Sequence, residues 1–173
     1  MGTLIDAPRL RSFMEALGAE PHAPARVYFT GGATAVLLGW RPQAIDVDLK
    51  LVPATAALEE AVRRRARTLE IDLDFLCPSE YLPELPGWEE RSPLVGAFGP
   101  LVFHHYDLGA QVLAKLARGH AGDLDDVREI LGRGLVEPAA LLDAFARIEP
   151  DLSRFPGPPP AVLRRAVEEA LGK

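Results

Sequence analysis

The chain has 173 residues, nearly half of them apolar, which is enough to bury one substantial core and short enough to favour a single domain. Its formal net charge of −6, spread along the chain, excludes a general electrostatic grip on a nucleic-acid backbone, so any nucleic-acid contact has to be local. A lone cysteine excludes an internal disulfide, no apolar stretch approaches the roughly 20 residues of a membrane helix, and Met1 to Leu10 does not read as a secretory leader; a cytoplasmic protein without membrane association is expected.

Leu10, Phe13, Met14 and Leu17 recur at helical spacing, with Asp6 and Pro8 suited to a helix start and Gly18 to its stop. Val27, Tyr28 and Phe29 form a β-prone run ending at Gly31, and residues 33–38 then hold good helix formers before Gly39: strand, glycine turn, helix. Residues 45–52 alternate polar and apolar, as do 71–75 with Asp72 and Asp74 on one face, so both predict half-buried strands. Between them, 54–69 predicts a helix with Leu58, Val62 and Leu69 inward. Its outward Arg63, Arg64, Arg65 and Arg67 read as a solvated face or as a local basic patch for a nucleic-acid acceptor.

Residues 78–100, rich in Pro, Gly and charge, read as an excursion anchored by Tyr81, Leu82, Leu85 and Trp88, and as a candidate substrate-side loop. A strand over 101–106 and helices over 108–118, 124–133 and 138–148 follow. A Pro-rich linker, 155–160, leads into a last helix, 161–171, whose Val162, Ala166 and Leu171 are expected to dock on the core. Strands first and helices later predict an α+β fold: one domain with a small mixed or antiparallel sheet flanked by helices in 1–106 and a helical part in 107–173.

The chemistry-bearing pattern is the glycine pair Gly31–Gly32 separated by thirteen residues from Asp46-Val47-Asp48. Two carboxylates two apart on a strand share a face, so Asp46 and Asp48 can share a divalent cation while Val47 and Leu49 face the core. Glycines lacking Cβ let the backbone turn sharply and bring its N–H groups to a phosphate, especially where a helix begins. Phosphoryl and nucleotidyl transfer need charge neutralisation and positioning, which two metals about 4 Å apart on several carboxylates supply. Asp74 or Asp72 on the adjacent strand would complete the set and accept the proton of an incoming hydroxyl. The alternative is that these acids merely solvate the outer face of a sheet. Neither G-x-x-x-x-G-K-[ST] nor G-x-G-x-x-G occurs, so a P-loop or a dinucleotide fold has no sequence support.

Gly-Gly, thirteen residues, Asp-Val-Asp-Leu, a helix and a second Asp-bearing strand together resemble the polymerase-beta-like nucleotidyltransferase superfamily, particularly its minimal bacterial members. The segment A-K-L-A-R-G-H-A-G-D-L-D-D-V, residues 114–127, resembles a motif of the abortive-infection type nucleotidyltransferase toxins, with Lys115, Arg118, Asp123, Asp126 and Val127 matching. The resemblance implies Mg2+ or Mn2+ on Asp46, Asp48 and Asp74, phosphate contacts from Gly31, Gly32, Arg41, Arg118 and Lys115, and a requirement for Asp123. It implies transfer of a nucleoside monophosphate from a nucleoside triphosphate to a tRNA or other RNA, a protein or a small molecule, within a toxin–antitoxin pair whose partner is a cognate antitoxin.

Three positions depart from the family pattern: Gly32 replaces a frequent Ser, Ala44 a common Thr, and Gly122 an expected Lys, which removes one cation from the triphosphate region. Those losses favour the other reading, a catalytically degenerate binding or interaction module. A third reading is a plain structural domain. Asp123 also suits a helix N-cap, Lys115 a surface position and Lys50 a surface ion pair. His104 and His105 are expected on opposite faces of a strand, His120 in a cleft, and Cys77 buried and unreactive.

Overall fold

Helix α1 (Ala7–Gly18) begins where the Asp6 carboxylate accepts the Arg9 N–H at 3.0 Å, with Pro8 in the first turn, and it buries the stripe Leu10, Phe13, Met14 and Leu17. Strand β1 (Ala25–Thr30) runs into helix α2 (Gly31–Leu38), which Gly39 stops in the left-handed conformation at φ 90°. After β2 (Val47–Val52), helix α3 (Ala56–Thr68) is capped by Thr55 Oγ1, which accepts the Leu58 N–H at 3.2 Å. Strands β3 (Leu73–Asp74), β4 (Leu94–Phe98) and β5 (Leu101–His105) complete a five-stranded mixed sheet in the order β3-β2-β1-β5-β4. This is a computed structural model that describes residues 3–173; Met1 and Gly2, which open the stretch read for a leader, lie outside it.

The α+β class read from the sequence holds, with β1 antiparallel to β2 but parallel to β5. Val27, Phe29, Val47, Leu49, Leu101 and Phe103 point to one side and share a core with Leu10, Phe13, Leu58 and Val62 of the helices. Their sheet neighbours Tyr28 and His104 point the other way, where their rings stack at 5.2 Å. Among the described residues no helix is long and apolar enough to cross a membrane.

The chain divides into two compact units where the sequence suggested one domain in two parts. The described residues up to Cys77 with Ser92–Tyr106 form the sheet unit, and Pro78–Arg91 with Asp107–Lys173 form the helical unit. The two units change over between Tyr106 and Asp107, and 78–91 belongs with the helices. Arg91 explains why: it donates from Nε and Nη2 to Asp107 Oδ2 at 3.0 and 2.6 Å and from Nη1 to the Pro86 carbonyl at 2.8 Å. Asp107 in turn caps the helix that follows it, accepting the Gly109 N–H at 2.9 Å.

The helical unit comprises α4 (Trp88–Arg91), α5 (Leu108–Arg118), α6 (Ala121–Gly132), α7 (Pro138–Ile148) and α8 (Pro160–Ala170). Helix α5 is buried on nearly every side. Two expectations need correction. The excursion over 78–100 contains β4, hidden from sequence reading because Leu94, Val95, Gly96 and Ala97 do not alternate in polarity and the pairing with β5 carries an irregularity between Leu94 and Gly96. Helix α8 docks through Leu163 and Val167 at i, i+4, while Val162 is 55% exposed; the expected stripe was one residue out.

Candidate functional site

The glycine turn and the Asp dyad meet at one end of the sheet unit. Thr30, Asp48 and Asp74 occupy one row across β1, β2 and β3, since Thr30 pairs with Asp48 and Asp48 with Asp74. Gly31 takes a left-handed φ of 59°, and a Cβ placed there would lie 3.5 Å from Asp48 Oδ2. The dyad carboxylate therefore faces the backbone at the start of α2, where Thr30 makes no side-chain cap to the helix.

Gly32 is required for another reason. A Cβ on it would come within 2.9 Å of Ala44 Cβ and 3.9 Å of the Asp46 carbonyl oxygen. Two of the three departures from the family pattern, Gly32 and Ala44, are thus the two sides of one contact, and both are trimmed where the larger pair would collide.

Asp46 directly precedes β2 and is half-buried, as is Asp48, whereas Val47 between them is buried in the core. Asp74 is exposed on the two-residue edge strand β3 and Asp72 is exposed just before it, with the Asp72 carbonyl accepting the Val47 N–H at 2.8 Å. Among the described residues no group of three or more His, Cys, Asp or Glu side chains is arranged to hold a metal ion. The expected set of Asp46, Asp48 and Asp74 is therefore one pair of sheet neighbours, Asp48 and Asp74, with Asp46 just before β2, and not a preformed cage, because Asp74 is exposed on a short edge strand. Magnesium commonly takes only one or two carboxylates and completes its shell with water and substrate phosphates. Asp48, whose carboxylate faces Gly31, and Asp46 two residues before it are residue types that fit that donor set. Arg41 is half-buried between α2 and β2, and its backbone N–H closes the end of α2 on the Ala35 carbonyl at 3.3 Å.

The remaining predicted residues lie in the helical unit and form a cluster of their own between α5 and α6. Lys115, its side chain 9% exposed, donates to Asp126 at 2.7 Å and lies 3.6 Å from Asp123. Arg118 grips Asp123 with two parallel bonds of 2.6 Å, Nε to Oδ2 and Nη2 to Oδ1. Burial alone would raise the Asp123 carboxyl, but the Arg118 hydrogen bonds, with Lys115 nearby and the His120 backbone, hold it below the ordinary carboxylate value. Two cations and two carboxylates are thus matched inside the α5–α6 pair. His120 sits exposed at the start of α6, 4.0 Å from Asp123.

His104 and His105 do point to opposite sides. Sequence reading missed that buried His105 places Nδ1 3.1 Å from Thr34 Oγ1, which itself donates to the Phe29 carbonyl at 3.2 Å. That chain ties the end of β5 to the first turns of α2. Burial, aided by His104, pushes the His105 imidazole down to about 4, so it is neutral at physiological pH. Strand alternation could have predicted which way His105 faces; its partner depends on how β5 pairs with β1, which sequence spacing does not encode. Cys77 is buried, as expected.

The Arg run on α3 is not an open basic patch. Arg64 and Arg65 hold Glu20, Arg67 pairs with Glu60 at 3.0 Å, and the Arg63 guanidinium lies 4.5 Å from the Phe75 ring centre.

No protein-family model matches this chain, and neither a curated protein nor a solved structure matches it. The likeness to nucleotidyltransferases rests on the motif residues themselves.

Proposed function

We propose that this protein is a Mg2+-dependent (or Mn2+-dependent) nucleotidyltransferase acting in the cytoplasm. It moves a nucleoside monophosphate from a nucleoside triphosphate to a hydroxyl of an RNA, a protein or a small molecule, under the restraint of a cognate antitoxin. One observation carries the reading: the Asp48 carboxylate faces the left-handed Gly31 at the start of α2, so a carboxylate for cations and a backbone turn for phosphates adjoin.

Gly31 and Gly32 would seat the triphosphate, and Asp46 and Asp48 would hold the metal. When bound, the metal would neutralise phosphate charge and polarise the α-phosphoryl group. Asp74, in register beside Asp48 and open to solvent, would accept the proton as the acceptor oxygen bonds to the α-phosphorus and pyrophosphate leaves. Incorporation of label from α-labelled triphosphates into a total RNA or protein extract tests this. Label is expected with wild-type protein and not with Asp46→Asn; equal label with both contradicts the assignment.

The degenerate-module reading is favoured by a separate observation, that Lys115, the cation assigned to phosphate by resemblance, is already engaged by Asp126 and Asp123. Under that reading triphosphate binds without any label reaching an acceptor.

A further inference from the structure

The loop that carries Asp46 is held from an unexpected quarter. Between α2 and β2 the chain has no regular structure except at Ala44, which forms an isolated antiparallel bridge with Ile5. Ile5 N–H donates to the Ala44 carbonyl and Ala44 N–H to the Ile5 carbonyl, both at 2.8 Å. Ile5 is fully buried and Ala44 nearly so. The next residue, Asp6, caps α1, whose apolar face is packed into the core, so the bridge is anchored at its far end. At its near end Ala44 abuts Gly32, the second residue of α2.

We propose that residues 4–6 are a positioning strap for the nucleotide site. They press Ala44 against Gly32 and so fix the separation between the phosphate-seating turn and Asp46. This rests on the nucleotidyltransferase reading. Ile5 and Ala44 touch no substrate; they act through Gly32 and the Asp46 backbone. The reason is geometric. The β1–β2 ladder ends at the Thr30–Asp48 pair and leaves Asp46 outside it, so the seven residues between α2 and Asp46 are held by the Ile5–Ala44 bridge, and preorganised sites gain affinity by removing such freedom before the ligand arrives. The 2.9 Å spacing at Gly32 leaves no room for one added methyl, so the seat has a single setting.

The test is a cycle of Gly32→Ala, Ala44→Gly and the double variant, with magnesium-dependent triphosphate binding followed by calorimetry and folding by melting temperature. Gly32→Ala is expected to weaken binding about tenfold or more, and the double variant to recover it to within about threefold, because the second change vacates the space the first one needs. A direct steric block of the phosphate by the new methyl would not be relieved at Ala44. Ala44→Gly alone removes the contact without a clash; it is expected to fold and to bind about fivefold more weakly, and it decides the matter where Gly32→Ala does not fold. Unchanged affinity in Ala44→Gly, or a well-folded double variant that stays weak, overturns the strap while leaving the nucleotide site standing. A wild-type protein that binds no triphosphate overturns the nucleotide reading, and the strap's role with it.

Discussion

His105 shows what burial does to a single titratable side chain. In an unfolded chain its imidazole takes up a proton near 6.5, but in the fold only near 4, so between those values the unfolded state binds more protons. Stability is therefore full above about pH 6.5 and falls as pH drops toward 4, by on the order of 3 kcal/mol for a separation of that size. His105→Gln keeps a donor for Thr34 without a titrating group, and denaturant unfolding across this range is expected to lose most of its pH slope. Retention of the full slope would place the titration elsewhere. Asp123 works lower on the scale: its folded value lies below 3.8, so its contribution is present above about that pH and is lost as pH falls through the folded value. Asp123→Asn is expected to remove that acid-sensitive part while costing stability at neutral pH, where Arg118 loses its paired carboxylate. At this scale the sequence was readable where an arrangement follows from spacing along the chain, as with the glycine pair at the start of α2 and the half-buried Asp46 and Asp48 flanking buried Val47. It was unreadable wherever a partner is distant, as with Ala44 against Gly32 or Thr34 against His105.

Among the elements, those with a strong period were legible. Helix α1 with its Leu10–Leu17 stripe and strand β2 with its alternation appear where periodicity places them, to within two residues. Strand β4 did not, since its identity comes from pairing with β5 and not from its own residues. The α5–α6 pair is the element-level feature that spacing could not reveal. Lys115, Arg118, Asp123 and Asp126 look like a motif in sequence, but their ion pairs exist only because two helices pack across Gly119. Removing one member strands its partner: Lys115→Met is expected to destabilise by about 3–5 kcal/mol, and adding Asp126→Leu to recover most of that loss, as buried pairs replaced together usually do. Equal damage from the single and double changes, measured by urea unfolding, would show that Lys115 contributes through something other than the pair.

Over the whole molecule, two compact units share one chain, and local changes ought to be felt in the unit that holds them. Asp126→Asn is expected to speed amide exchange in α5 and α6 and leave the β1, β2 and β5 amides unchanged; matching loss in the sheet unit would mean that the two open together. Under the proposed function, the net charge of −6, with the α3 arginines already engaged, favours a small acceptor or a single RNA end over a long nucleic-acid backbone. The central claim is that the glycine turn and the Asp dyad of the sheet unit form one metal-assisted nucleotide site. Calorimetric titration of the purified protein with each nucleoside triphosphate, with and without magnesium and beside Asp46→Asn, tests it most directly. Binding that needs magnesium and disappears in the variant, whose melting temperature stays close to that of the wild type, is the predicted result. Binding of no triphosphate, or equal affinity in the variant, would contradict it.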